Sequence, residues 1–373
     1  MKKLFLIILC VFILTILTNE VLILKDGKTL NGKIIKMDED TMTVYSKDGE
    51  FIIDREDIIE FYIDEKTYQN RKQNSQNIEK NDVVTNKNMV LVKGGEFLLG
   101  IKDDKENPLR KIMVNDYFIS QYEMTRGEFK EFVNETNYKT TSELNGHGII
   151  LTKDGRKQEG ESKEVISWMN PGFEQTDNDP VVLVSWYDAI EFCNWKSKKE
   201  GLNECYVIDK SKRDYKNNQN KRDTIRWSVE CNFDADGFRL PTEAEWEFAY
   251  RGGNLSKGYI FSGGNNPDEI GWLINNSNYK THPVGRKLPN ELLLYDMTGN
   301  VSEILWDWQG KYSNEHIVDP KGPPKGVYKI IKSSSWFDKI EDNQDKPNEI
   351  YPWRQHPHWS WNILGFRVVR SVK

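Results

Sequence analysis

Between residues 89 and 373 three stretches announce a helix, and all three do so in the same way. Thr125 stands three residues before Glu128 in M-T-R-G-E-F-K-E-F-V. Ser185 stands three before Asp188 in V-S-W-Y-D-A-I-E-F-C-N-W, and Thr242 three before Glu245 in L-P-T-E-A-E-W-E-F-A-Y. In each, the hydroxyl can accept from an early backbone N–H while the acid reaches back to the cap N–H. Three helices over so long a stretch leave a mixed, loop-rich domain of the α+β class. Residues 139–180 and 206–236 carry few periodic signals and read as loops or insertions, and long loops in a compact domain often carry function.

The chain before residue 89 is organised differently. M-K-K followed by L-F-L-I-I-L-C-V-F-I-L-T-I-L-T reads as a signal peptide or N-terminal anchor over 1–19. The protein is therefore expected to be exported, to periplasm, cell envelope or medium, with the N-terminal segment available for membrane attachment. Residues 20–64 alternate in the manner of short strands, with Asp26-Gly27 and Asp48-Gly49 as hairpin turns. They predict a small all-β, SH3-like or Sm-like barrel. Residues 65–88, rich in Asn, Gln and Lys, read as a polar linker.

The formal net charge of −6 supplies no basic field, so nucleic acid is not an expected partner. Four cysteines occur and Cys10 belongs to the export signal. Of the other three, Cys193 sits in a helical pattern as a small apolar residue, and Cys205 with Cys231 is the pair best placed for a disulfide. Twelve Trp is a high count, suited to cores with polar edges and to binding surfaces.

G-F-R-L-P-T-E-A-E-W-E-F-A-Y-R-G-G (237–253) resembles the hallmark of the formylglycine-generating enzyme, or sulfatase-modifying factor, family. M-V-L-V-K-G-G-E-F-L-L-G, F-I-S-Q-Y-E-M-T, D-P-V-V-L-V-S-W-Y-D, T-H-P-V-G, L-L-L-Y-D-M-T-G-N-V-S-E-I and L-G-F-R-V-V-R follow the family's order around it. The resemblance covers residues 89–373 and implies an elaborated C-type-lectin-like fold. Within 237–253, Arg239, Glu243, Glu245, Trp246 and Glu247 read as scaffold, with Glu245 capping and Trp246 buried.

The family's oxidases begin a two-cysteine copper site just after a strand end of the kind found here at Ser333-Ser334-Ser335-Trp336-Phe337. This chain places Asp338 at the first position and has no cysteine beyond Cys231. A carboxylate does not replace a thiolate for copper(I), so copper chemistry is not expected. Asp338 either caps the turn or points into the pocket. The resemblance further implies a structural calcium at Y-D-M-T-G-N-V-S-E, held by the Asp296 and Glu303 side chains and the Gly299 and Val301 carbonyls. His356 and His358 share a face in extended chain and could, with Asp338, imitate a two-His, one-carboxylate iron site, although iron is not expected. The simpler reading makes Trp336, Asp338, Trp353, Arg354, His356, His358 and Trp361 the wall of a groove for a peptide, protein or carbohydrate. The expected function is a non-catalytic binding module of the cell envelope. Two alternatives stay open: a metal-dependent oxidoreductase acting on a peptide or small thiol, and a structural subunit of an envelope complex.

Overall fold

A computed structural model describes residues 20–24, 29–37, 41–47, 49–54, 58–62, 85–86, 88–101, 108–146, 148–154, 157–159, 166–311, 317–340 and 353–372. The chain divides into two compact units, Met1–Asn77 and Ile78–Lys373. The signal segment 1–19 and most of the expected linker lie outside the described residues.

The first unit contains β1 (Glu20–Leu24), β2 (Thr29–Met37), β3 (Thr41–Ser46), β4 (Gly49–Asp54) and β5 (Ile58–Tyr62). They form one antiparallel sheet of order β4-β3-β2-β1-β5. Val44 and Ile53 are buried while Tyr45 and Ile52 are exposed, because neighbouring residues of a strand point to opposite faces. Among the described residues β4 and β5 each have one partner, so the sheet is open at both edges rather than closed into a barrel.

The second unit opens with β6 (Thr85–Asn86), inside the expected linker, which pairs with β7 (Met89–Val92). Then come β8 (Gly95–Leu99), β9 (Arg110–Val114), β10 (Tyr117–Ser120), α1 (Arg126–Thr136) and α2 (Thr141–Asn145). β11 (Gly148–Leu151), β12 (Lys157–Glu159), α3 (Trp186–Lys199), β13 (Tyr206–Arg213), β14 (Trp227–Cys231) and β15 (Phe238–Arg239) continue the chain. After α4 (Glu243–Tyr250) and α5 (Pro267–Ile270) follow β16 (Ser302–Trp308), β17 (Ile317–Val318), β18 (Lys329–Lys332) and β19 (Trp353–Gln355). The last strands are β20 (Ser360–Trp361), β21 (Leu364–Gly365) and β22 (Val369–Ser371).

All three expected capping boxes are present at Thr125, Ser185 and Thr242, and a fourth, Thr140 with Glu143, starts α2. The C-terminal β22 pairs with both β10 and β15, which ties the end of the chain to the start of the unit. β19, β18, β16 and β21 form a second sheet in that order. One core gathers Phe129 and Phe132 of α1, Trp186 and Phe192 of α3, Trp168 and Phe366. A second surrounds Trp246 and Phe248 of α4 with Leu305 and Ile330. Trp246 is wholly buried and Glu245 caps α4 while pairing with Arg239 at 2.6 Å, so the 237–253 motif is scaffold as expected. Among the described residues no helix is long and apolar enough to cross a membrane.

Candidate ligand-binding site

β18 ends at Lys332, and the next residue, Ser333, turns left-handed at φ +69°. The Ser335 amide and hydroxyl both donate to Asp338 Oδ2, at 2.8 and 2.6 Å, and the Asp338 amide donates back to Ser335 O at 3.0 Å. Of its two expected roles, Asp338 therefore takes the capping one. Trp336 has no exposed surface. Its Nε1 donates to Asn362 O at 2.9 Å and its ring meets Phe173 edge-on at 5.3 Å. It braces the strand end from beneath and offers no face to a ligand, which corrects its expected place in the groove wall.

β19 extends the same sheet outward. All twelve Trp fall within the described residues, and Trp353 on β19 is the one that is exposed, at 52%. Next to it Arg354 is exposed, with its guanidinium 5.4 Å from the Tyr328 ring centroid. The following residues turn inward. His356 packs among Tyr328, Trp359 and His358 at 4.8, 4.3 and 5.7 Å between ring centroids. Its Nδ1 lies 2.5 Å from Asn220 Nδ2, and burial followed by the Arg222 charge lowers its pKa, so the ring is neutral at pH 7. His358 is 1% exposed, with Nδ1 3.6 Å from Asp223 Oδ1. Trp361 is half-buried, 6.2 Å from Trp359.

Asp223 is the hub that the sequence reading missed. Its carboxylate accepts from Tyr187 OH at 2.7 Å, Asn218 Nδ2 at 2.6 Å and the Ile225 amide at 2.8 Å. Apart from Tyr187 on α3, these groups come from the 206–236 stretch, where the clustered Asn and Asp of N-N-Q-N-K-R-D were the available signal. The two histidines thus face different partners, and Asp338 joins neither. Among the described residues no group of three or more His, Cys, Asp or Glu is arranged to hold a metal ion.

The 296–303 turn is buried. Asp296 and Gly299 are left-handed at φ +55° and +79°, and a Cβ on Gly299 would stand 2.5 Å from Trp272 O. Asp296 Oδ2 accepts from the Gly285 amide at 2.7 Å. The Val301 amide donates to Glu123 Oε1 at 3.1 Å. Both Glu303 oxygens accept from Arg367 Nε, at 2.8 and 2.7 Å, and Oε2 also accepts from Trp246 Nε1 at 2.8 Å. Three wholly buried carboxylates, Glu123, Asp296 and Glu303, surround one guanidinium. Burial, then the Asp296 and Glu303 charges, holds the Glu123 carboxyl well above the usual carboxylate range. A cation binding Glu303 here would share its oxygens with Arg367.

Cys193, Cys205 and Cys231 are free thiols, so the 205–231 disulfide is not formed. Cys231 aligns with Tyr206 across β13 and β14, one step out of register with Cys205. Burial raises Cys193 and pushes Cys205 up to about 11 and Cys231 up to about 12, so none is a thiolate at neutral pH.

Residues 74–372 match the sulfatase-modifying factor enzyme 1-like domain. The chain belongs to that family. Among its relatives is a protein named chaperone protein LppX from Paenibacillus barcinonensis, 32% identical over 76% of this chain and 89% of the relative. The bovine (Bos taurus) formylglycine-generating enzyme is 27% identical over 67% of this chain, which spans 66% of that enzyme. Among solved structures, Treponema denticola variable protein 1 superposes with a TM-score of 0.57 at 26% identity, covering 76% of this chain and 95% of its own. The family membership accounts for the order of motifs from residue 89 onward.

Proposed function

We propose that this family member is an exported, non-catalytic binding module of the cell envelope, whose ligand is a peptide, protein or carbohydrate. Trp353, Arg354 and Trp361 form the contact edge, backed by the buried His356–His358–Asp223 cluster. Asp338 and Trp336 hold the strand end beneath. The observation that carries this reading is at Asp338. Where the family's oxidases begin their cysteine pair, this chain has a carboxylate already tied to Ser335, and its three described thiols lie elsewhere, Cys193 and Cys205 buried and Cys231 partly so. The chaperone name of the Paenibacillus relative favours a protein ligand. In this reading the 78–373 unit is a lectin-like fold, the open five-stranded sheet serves as a docking module, and residues 1–19 direct export.

The test pairs two assays on the purified chain. Given copper, O2 and a cysteine-containing sulfatase peptide, it should form no aldehyde by mass spectrometry. On peptide and glycan arrays, Trp353→Ala and Arg354→Ala should each weaken binding roughly tenfold or more, as buried aromatic and Arg anchors do. Aldehyde formation would overturn the non-catalytic reading, and unchanged array binding would overturn the site.

The same proposal places calcium at Asp296, Glu303 and the Gly299 and Val301 carbonyls, as a structural staple relieving the crowded carboxylates. Calcium at ~100-fold excess over its Kd would then add about 2.7 kcal/mol of stability. Asp296→Asn, which tolerates the left-handed backbone, should abolish that gain. Equal melting temperatures with calcium and with chelator would remove calcium from the account.

A further inference from the structure

A cavity of about 470 Å³ lies away from the 353–361 edge, between the N-terminal end of α4, strand β9 and the 317–323 segment. Its walls are mostly apolar: Leu99, Ile112, Ala244, Ile317, Pro320 and Pro323. Its charged lining is Arg110, Lys311 and Lys321 against Glu243, Asp307 and Asp319. Two of the three acids are already committed. Glu243 pairs with Lys332 at 3.0 Å, and Asp319 accepts from the Asn115 amide and side chain at 2.7 and 2.5 Å.

Asp307 is different. Its side chain is 2% exposed, and Oδ2 accepts from the Glu243 amide at 2.9 Å, capping α4. The hydrogen bond from Glu243 engages Oδ2 and leaves Oδ1 to other contacts. Oδ1 lies beside Gly322, another wall residue, where an added Cβ would stand 2.6 Å from it. Asp307 lines the cavity, and a polar group lining a cavity normally takes a partner from protein, water or ligand. Burial, and then the Glu243 charge, pushes this carboxyl up to about 8, so at neutral pH it is mostly protonated. With Oδ2 accepting, the proton sits on Oδ1, as a donor facing the cavity.

We propose that this cavity binds a small organic carboxylate, its apolar body against Leu99, Ile112 and Ile317 and its head between Asp307 Oδ1, Lys311 and Lys321. The arrangement resembles a general solution for amphipathic anions. Apolar walls supply area, a neutral acid donates one short hydrogen bond, and the lysines supply charge. A doubly charged phosphate would lack use of the apolar walls, so the monoanion with a hydrocarbon tail fits better. The charges that bear on Asp307 come from every packed element: Glu243 and Glu245 on α4, Lys329 on β18, Arg110 on β9, and Lys311, Asp319 and Lys321 on the adjoining loops.

Titration calorimetry of the full chain with hexanoate, and with inorganic phosphate for comparison, tests the proposal. Hexanoate should bind at pH 6.5 and weaken at least roughly fivefold by pH 9, as a carboxyl titrating near 8 loses its proton. Asp307→Asn, which keeps a neutral donor, should bind hexanoate with little change between the two pH values. Lys311→Glu, an exposed change that spares the fold, should weaken hexanoate at least roughly fivefold by removing one attraction and adding a repulsion. Absence of hexanoate binding to the folded chain would overturn the site. So would phosphate binding more tightly than hexanoate, or a pH dependence retained in Asp307→Asn. The outcome is independent of array binding at Trp353 and Arg354.

Discussion

Replacing Arg367 with methionine is expected to cost about 3–5 kcal/mol of stability, the range found when one partner of a buried pair is removed. Arg367 has no exposed surface. Its Nε bonds both Glu303 oxygens, while Nη1 and Nη2 donate to Ser120 O and Tyr295 O at 3.1 and 2.9 Å. Methionine fills much of the volume but leaves Glu303 beside Glu123 and Asp296 with no guanidinium among them. Thermal unfolding should show the loss clearly at pH 7. The deficit should shrink in acid, where the stranded carboxyls take up protons. Glu303→Gln in the Arg367→Met background should recover part of the loss, since the amide still accepts from Trp246 Nε1 without a charge to neutralise. A methionine variant melting like the parent at pH 7 would mean that another cation already serves the three carboxylates.

Glu123 gives the same cluster a pH signature of its own. Its native pKa is raised above the unfolded value, with burial the first cause and Asp296 the second. The native state therefore holds a proton that the unfolded chain releases. That contribution to stability is fully present below the unfolded-state value of about 4.5 and is lost as pH rises through the raised native one. A calcium ion bound among these carboxylates would lower the Glu123 pKa and flatten this dependence, linking the calcium proposal to the Arg367 measurement.

What could be read from the sequence divides along physical lines. The helix starts were legible because a capping box is local: hydroxyl and acid stand three residues apart and need no knowledge of the rest of the chain. The burial of Trp246 and the capping by Glu245 followed from helical spacing within one motif. Asp338 was recognisable as a departure from the family pattern, but its choice between cap and pocket depended on the geometry around Ser335. The site's support was illegible for a different reason. Asp223 reaches His358, and Asn220 reaches His356, across more than a hundred residues of sequence, from a loop with no periodicity. Trp336 was misplaced because a ring at a strand end reads the same whether its strand faces solvent or core. The open edge of the first unit depends on whether β4 and β5 pair, which strand alternation does not encode.

Lys332→Met should produce a second loss of about 3–5 kcal/mol, for reasons that separate it from Arg367. Lys332 is the last residue of β18, wholly buried, with Nζ 3.0 Å from Glu243 Oε1 and 3.0 Å from Glu247 Oε2. Burial opposes its charge, but the two glutamates outweigh burial and raise its pKa. Glu247 has a second cation in Arg251, at 2.6 Å, and its own pKa is lowered despite burial. Glu247 therefore supplies stability that is present above the unfolded carboxylate value and lost as pH falls through its depressed native one. When Lys332 is removed Glu247 keeps Arg251, while Glu243 loses the Nζ contact at 3.0 Å. Lys332→Met with Glu243→Gln should thus recover much of the loss, whereas Lys332→Met with Glu247→Gln should recover little and leave Arg251 without its partner. The Glu243 charge, no longer opposed by Lys332, should also drive the neighbouring Asp307 further toward its protonated form. In Lys332→Met, hexanoate binding should then persist to higher pH than in the parent. Equal recovery by the two glutamine variants would show that the pair shares one charge, and that Glu243 holds no separate role at the floor of the cavity.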